Sequence, residues 1–501
     1  MHKNTTVFFS ILGIILLSSL IVWKPFLAVG LVIGLLFIII SYLWPHIGIF
    51  ILIGYIPLVD LISYKLATPE YLIFFRFSTE IAAGIIVLIL ILKKVMAREK
   101  LRLSRELVWL LLFLAAAALS SFLNQVDYEH FLFGLTVLLR YFLIFLAALN
   151  IEWKSKLLKQ LLIVILVFGS VQILISFGQV VLGEWFKNIF IFDTKLSFTT
   201  NAIFSLERQA LDKAWVFGTF SRYNLLGGFL MLTVCLSIAA LLITRSQNLR
   251  KAMVIYNFLA VVVIILSNSR NSWVGTFLAM VTALLILRKH KVMVGLILGI
   301  LLSTLILVTF SKPVSLAISE SSGATPAERF LGVFSGEYIS KSLQNDRLFL
   351  ITKASQQIAA NAAWLGVGMG QAWSAQEAAF GDFRYSLLLG LPVESWYYLG
   401  DVGWIALFSQ VGFIGLFLFM AFLVSLLSTI RGYINKTDGI EKIYLVGFVA
   451  MWVVMMVTNI WSFNLTYRST SFYFWLIAGV SLSIAEKYKG DVQSERRKAL
   501  R

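Results

Sequence analysis

The sequence has few charged residues for its length. Only 13% of its 501 residues are Asp, Glu, Lys or Arg, whereas about 25% is usual in soluble domains. Hydrophobic residues make up 59% of the chain, and its mean hydropathy is +0.89. Apolar runs of about twenty residues, long enough to cross a membrane, recur along it. This composition excludes a soluble enzyme and predicts an all-α, polytopic integral membrane protein with about 12 to 14 transmembrane helices. The apolar runs predict spans near 7–22, 26–43, 47–62, 77–92, 107–123, 131–149, 157–182, 225–243, 253–267, 272–287, 292–310, 403–430, 443–460 and 469–485.

Disulfide partners and metal ligands are also scarce. The one cysteine, Cys235, lies within an apolar run, which excludes a disulfide framework and a thiolate metal cluster. We expect it to be a small buried or lipid-facing side chain. The four histidines are His2, His46, His130 and His290. The sequence therefore gives no reason to expect a metal ion or another cofactor.

Acidic residues are fewer than basic ones, 25 against 42, and the formal net charge is +17. The basic residues concentrate in short loops, and every second loop is basic, which is the positive-inside pattern of membrane proteins. This distribution predicts cytoplasmic loops that contact anionic lipid rather than a nucleic-acid partner. Both termini are then cytoplasmic. The basic stretches are 93–105, 154–159, 245–251, 288–291, 431–442 and the C-terminal tail.

Two segments between the predicted spans, 183–224 and 311–402, are long, and both fall on the external side. The second is too long for a simple connection and has no spanning run, so we expect short helices on the outer membrane face and a functional role. The chain then divides into N-terminal spans (1–214) with a first external loop (183–224), central spans (215–310), a large extracytoplasmic loop (311–402), C-terminal spans (403–485) and a basic cytoplasmic tail (486–501).

Several arginines fall at the external boundary of the predicted spans. A guanidinium stays charged and is costly near hydrocarbon unless an anion meets it. Its planar fork suits phosphate oxygens, so an interfacial pyrophosphate would be a suitable anion. The alternative for each arginine is that it reaches for water or pairs with a nearby acid. The residues concerned are Arg222, Arg270, Arg347, Arg384 and Arg468.

Four motifs in this region resemble those of bacterial O-antigen ligases and O-antigen polymerase-like membrane proteins. The segment VFGTFSRYNLLGGFL resembles the stretch that opens a central helix, and LSNSRNSWVG resembles a Ser-Arg turn. DRLFLITKASQQIAANAAWLGVGMGQ is similar to the external-loop signature. DVGWIALFSQVGFIGLFLF is similar to the motif after that loop, with Gly412 and Gly415 as its paired glycines. The four occur in the family's order over residues 215–430.

The resemblance implies a metal-independent glycosyltransferase of the bacterial inner membrane. Its substrate would be an undecaprenyl-pyrophosphate-linked glycan at the external face, and its product a surface polysaccharide such as lipopolysaccharide O-antigen or exopolysaccharide. Polymerisation of repeat units is the first interpretation, with a flippase and a chain-length regulator as partners. A ligase that passes the glycan to a lipid or protein acceptor is the alternative. A transporter of polysaccharide or lipid-linked substrate is the alternative from another class.

The reaction needs cations for the leaving pyrophosphate and a base for the acceptor hydroxyl. We expect Arg270 and Arg347 to hold the pyrophosphate, with support from neighbouring polar and charged residues. Where the ligase pattern has a His, this sequence has Asp401, which is either the base or the N-cap of the following helix. Glu394 is the rival base. The absent His favours a polymerase over a lipid A–core ligase. The supporting binding residues are Arg222, Asn224 and Arg468.

Three glycines of the large loop, Gly366, Gly368 and Gly370, could suggest a phosphate-binding loop. No strand precedes them and no helix with a Lys follows, so a nucleotide site is excluded. We expect a turn that brings backbone close to substrate or to the membrane.

Overall fold

The computed structural model describes residues 25–66, 72–191, 216–310, 326–332, 336–345, 347–371 and 402–499, and within them all regular structure is helical. The helices before the first long loop are α1 (Pro25–Leu43), α2 (Pro45–Tyr55), α3 (Val59–Leu66), α4 (Leu72–Met96), α5 (Leu107–Leu123), α6 (Tyr128–Leu138), α7 (Phe142–Asn150), α8 (Ser155–Val181) and α9 (Gly183–Ile189). Those after it are α10 (Tyr223–Ile243), α11 (Gln247–Leu266), α12 (Arg270–Ile286), α13 (His290–Phe310), α14 (Pro326–Gly332), α15 (Gly336–Asn345), α16 (Arg347–Asn361), α17 (Gly403–Arg431), α18 (Gly439–Thr458) and α19 (Arg468–Ala499).

Long apolar runs form helices because a helix satisfies its own backbone in lipid. Among the described residues, six helical stretches are long and apolar enough to cross a membrane, and a seventh is formed if α6 and α7, bent by 51° at their junction, act as one span. This confirms the predicted all-α polytopic membrane protein. The six stretches are Pro45–Ser63, Ser155–Val181, Tyr223–Ile243, Gln247–Leu266, Gly403–Lys436 and Gly439–Thr458.

Helix α10 lies at the centre of the bundle. In its most apolar stretch of 18 residues, 83% is buried inside the protein. The helix packs against α8, α11, α12, α18 and α19. Glycines on its neighbours let the helices approach closely: a Cβ added to Gly447 of α18 would lie 2.6 Å from Leu236 Cδ2. Cys235 on α10 is fully buried, as expected for a small apolar side chain.

Helix α17 is broken at Gly412, whose φ of 61° and ψ of −165° are not helical. The break separates the carbonyls of Ser409 and Gln410 from the N–H groups of Phe413 and Ile414. In an unbroken helix these groups would bond each other. The glycine loop, residues 362–371, supplies partners for all four groups. The N–H groups of Val367 and Gly368 donate to Ser409 and Gln410 (2.8 and 3.0 Å), and those of Phe413 and Ile414 donate to Ala363 and Trp364 (2.9 and 3.1 Å).

Gly366 of this loop packs its backbone directly on the backbone of α17. Gly366 has a φ of 72°, and a Cβ on it would lie 2.5 Å from the Gln410 carbonyl carbon. The N–H of Gly370 donates to Gln410 Oε1 at 2.6 Å. The glycine turn therefore brings backbone close to the backbone of the broken helix α17.

Candidate active site

Four helices begin at one end of the bundle, around the 459–467 loop between α18 and α19. The starts of α10 and α12 touch, since a Cβ on Gly227 would lie 2.9 Å from Ser269 Cβ. A Cβ on Gly228 would lie 2.8 Å from Thr470 at the start of α19. Trp461 Nε1 in the loop donates to Asn271 Oδ1 at 2.8 Å, which ties the loop to α12. The positive ends of these helix dipoles therefore converge.

The start of α17 belongs to the same group. The N–H groups of Gly403 and Trp404 donate to the carbonyls of Ser462 (3.2 Å) and Asn459 (3.3 Å). The N-cap position is occupied by Val402, whose side chain makes no capping hydrogen bond. Asp401, the predicted base or N-cap, precedes Val402 and lies outside the described residues, as do the rival base Glu394 and Arg384.

Each arginine predicted to bind pyrophosphate stands at a helix start. Arg222 is the N-cap residue of α10, and Arg270, Arg347 and Arg468 are the first residues of α12, α16 and α19. A cation is disfavoured at a helix N-terminus, where the dipole and the free N–H groups attract anions. An anion that balances both the guanidinium and the helix end stabilises this placement, by about 0.3–1 kcal/mol at an exposed helix end.

For Arg468 the anions are carboxylates of the protein. Arg468 Nε lies 3.4 Å from Glu80 Oε1, and its Nη1 lies 3.8 Å from Asp60 Oδ1. The same Glu80 oxygen lies 3.1 Å from Nε of Arg140, which stands at the junction of α6 and α7. We call Asp60, Glu80, Arg140 and Arg468 the charged cluster. Its two carboxylates balance its two guanidiniums, so Arg468 is an ion-paired residue.

Sequence reasoning missed three members of this cluster, Asp60, Glu80 and Arg140, as partners of Arg468. A usable signal existed, because ionisable residues within membrane spans are rare and usually pair with one another. Asp60 and Arg140 both fall inside predicted spans. Pairing them with Arg468 needed the fold, since Glu80 and Arg468 are 388 positions apart.

Arg222 and Arg270 have different surroundings. Neither is in an ion pair with an acid anywhere in the part of the chain that the structure describes. The Arg270 guanidinium carbon lies 5.0 Å from the ring centroid of Tyr338, a cation–π distance. Near Arg222, Oδ1 of Asn224 is buried and has no hydrogen-bond partner among the described residues.

Arg347 lies on the helices of the large loop, one of which contacts α12 through Tyr338 and Arg270. It begins α16, which directly follows α15, the helix that carries Tyr338 to Arg270. Helix α16 is anchored on the first half of α17 by an apolar face. That face consists of Leu350, Ala354 and Ile358, which pack with Val402 and Phe408.

Within the described ranges, no group of three or more His, Cys, Asp or Glu side chains is arranged to hold a metal ion. Apart from the charged cluster, the polar groups at this end of the bundle include guanidiniums, helix N-termini and amides. Such a set can bind a polyanion and stabilise negative charge.

Comparison with known proteins agrees with these features. Residues 255–420 match the family model described as O-antigen ligase. The matched region runs from α11 through the start of α12, the loop helices α15 and α16 and the glycine loop to the break in α17. No curated protein matches the chain. Residues 255–420, about a third of this membrane-embedded chain, are thus similar to the O-antigen ligase family.

Proposed function

We propose that this protein transfers glycan from an undecaprenyl-pyrophosphate-linked oligosaccharide at the external face of the bacterial inner membrane. The observation that carries the proposal is the pair Arg222 and Arg270. Both stand at touching helix N-termini without an acid partner among the described residues. A pyrophosphate supplies the negative charge that this arrangement lacks.

The chemistry follows from that placement. The acceptor hydroxyl attacks the anomeric carbon, and the bond from that carbon to the pyrophosphate oxygen breaks as the new glycosidic bond forms. Arg222, Arg270 and Arg347 stabilise the charge that grows on the leaving pyrophosphate, with Asn224 as a further polar contact. Asp401 takes the hydroxyl proton, and Glu394 is the other candidate for this step.

Polymerisation of surface polysaccharide repeat units is our first assignment. It is supported by Asp401, which stands where the ligase pattern has a His. The printed family description, O-antigen ligase, favours the ligase alternative. The two differ in the acceptor: another lipid-linked glycan for a polymerase, a different lipid or a protein for a ligase.

A transporter would also use broken helices and buried charges, and this chain has both. Here, however, the break in α17 is filled by the glycine loop, and Arg468 of the charged cluster is the first residue of its helix. Both features fit a fixed site at one end of the bundle better than a central site with alternating access.

The test is Arg270→Ala in the full-length protein, reconstituted in liposomes with undecaprenyl-pyrophosphate-linked repeat units. Loss of a preorganised charge on the leaving group should lower the rate of glycan transfer about 100-fold or more, with little change in melting temperature. Gel analysis of the glycan separates the assignments, since a ladder formed from these units alone indicates a polymerase.

Arg288→Ala is the matched control, because Arg288 stands just beyond the opposite end of α12. It should transfer glycan at the wild-type rate. Wild-type transfer by Arg270→Ala would overturn the proposed role of Arg270. Movement of the intact lipid-linked unit across the bilayer, without any glycosidic bond formed, would support the transporter.

A further inference from the structure

The residues before α10 form a buried segment without regular structure. In this segment, residues 216–221, Val216, Phe217 and Thr219 are at most 1% exposed. Backbone groups buried outside a helix need partners, because an unpaired buried N–H or C=O is costly. The partners come from two glutamine side chains of α8, Gln172 and Gln179, which are 1% and 0% exposed.

Gln179 holds the first half of the segment with three hydrogen bonds. Its Oε1 accepts from the N–H groups of Phe217 and Gly218, both at 2.9 Å. Its Nε2 donates to the carbonyl of Gly218 at 2.8 Å. The primary amide therefore acts as a substitute peptide group, and it fixes the backbone at the point where Gly218 adopts a φ of 63°.

Gln172 holds the next residue, two helical turns earlier on the same face of α8. Its Oε1 accepts from the N–H of Thr219 at 3.0 Å, and its Nε2 donates to Thr219 Oγ1 at 2.9 Å. The same hydroxyl donates to the carbonyl of Pro57. A Cβ on Gly218 would lie 2.5 Å from Gln172 Oε1, so the glycine is required for this contact.

The far end of the segment is held by the charged cluster. Ser221 Oγ donates to Asp60 Oδ2 at 2.7 Å, and Asp60 in turn faces Arg468. The next residue in the chain is Arg222, the N-cap of α10. The backbone that carries Arg222 is thus fixed on one side by the two glutamines and on the other by Asp60.

We propose that Gln172 and Gln179 are positioning residues for the pyrophosphate site. This inference rests on the proposed function. The two amides act through the 216–221 segment, and they hold Arg222 and the first N–H groups of α10 where the pyrophosphate binds. Net stabilisation from buried hydrogen bonds is modest, about 1 kcal/mol each. The main effect of the five glutamine hydrogen bonds is instead to fix one backbone conformation before the start of α10.

A double-mutant cycle tests the proposal. Gln179→Met, Arg222→Ala and the combined variant of the full chain are purified in detergent, and the dissociation constant for geranyl pyrophosphate is measured by calorimetry. We expect Gln179→Met to weaken binding about tenfold and Arg222→Ala to weaken it at least as much. The combined variant should bind no more weakly than Arg222→Ala, because Gln179 acts through that residue.

Ser176→Ala is the matched control. Ser176 lies between the two glutamines on α8, is fully buried and bonds only the carbonyl of Gln172 in its own helix. It should bind geranyl pyrophosphate like the wild type. If Gln179→Met does not fold, Gln172→Met replaces it in the cycle, with the same expectation.

The outcomes separate the two proposals. Unchanged binding in Arg222→Ala would remove Arg222 from the pyrophosphate site, and the positioning role would fail with it. Two other outcomes would overturn the positioning role alone, provided that Arg222→Ala weakens binding. One is unchanged binding in the glutamine variant, and the other is a combined variant whose loss of binding free energy equals the sum of the two single losses.

Discussion

Arg468 and Arg270 are the first residues of two helices at the same end of the bundle, but the groups around them differ. Arg468 lies within 4 Å of two carboxylates of the protein, those of Asp60 and Glu80. Arg270 lies against an aromatic ring, with no acid partner among the described residues. The same residue type at the same kind of position is therefore ion-paired within the fold in one place and, as we propose, binds a ligand in the other.

The largest effect on protein stability should come from Glu80→Ala, which removes the carboxylate that Arg140 and Arg468 share. Two largely buried guanidiniums then lose a shared carboxylate, and removal of one partner from a buried ion pair costs about 3–5 kcal/mol. We expect little protein in the membrane and a strongly lowered melting temperature in detergent.

Glu99→Gln is the control for that variant. Glu99 is 65% exposed and lies 3.8 Å from Lys94, so its loss should change stability by less than about 1 kcal/mol. A melting temperature of Glu80→Ala equal to the wild type would show that the charged cluster is not needed for the fold.

An intermediate effect is expected at Tyr338, whose ring faces Arg270. Tyr338→Leu removes the cation–π contact, which is worth about 0.5–1 kcal/mol at a partly exposed site. We expect glycan transfer by Tyr338→Leu to fall two- to fivefold, while Tyr338→Phe keeps the ring and the wild-type rate. Equal loss in the two variants would assign the effect to the hydroxyl instead of the ring.

The smallest effect should come from Ser221→Ala, which cuts the hydrogen bond between the charged cluster and the segment before Arg222. One hydrogen bond to a charged group contributes about 1.5–3 kcal/mol to the free energy of unfolding, but the glutamine bonds to the segment remain, so its loss should change the position of Arg222 little. We expect a modest fall in melting temperature and a weakening of geranyl pyrophosphate binding below that of Gln179→Met. A loss larger than that of Gln179→Met would place the main support of Arg222 in the charged cluster.

Several helices could be predicted closely because hydropathy along the chain is a local property. The predicted span 107–123 coincides with α5, and the predicted spans 225–243 and 272–287 agree with α10 and α12 within two residues at their starts. The prediction of a family from four motifs also agrees with the matched residues 255–420, which fall inside the predicted 215–430.

Helix breaks were harder to predict. The span expected at 131–149 is two helices with a 51° bend, and the span expected at 403–430 is broken at Gly412. Neither break contains a proline. The break at Gly412 depends on partners from the glycine loop about forty residues earlier, and apolar patterning carries no information about such partners.

By itself, the sequence determined that the chain is a membrane protein with arginines where helices start, because side-chain solvation and helix boundaries are set by neighbouring residues. Only the tertiary structure decided which arginines pair with acids of the described residues and which do not. That depends on acids and amides far away in the chain: Glu80 reaches Arg468, and Gln172 and Gln179 reach the segment before Arg222. Electrostatic pairing acts through space over a few ångströms, so the folded chain had to bring these groups together before their roles differed.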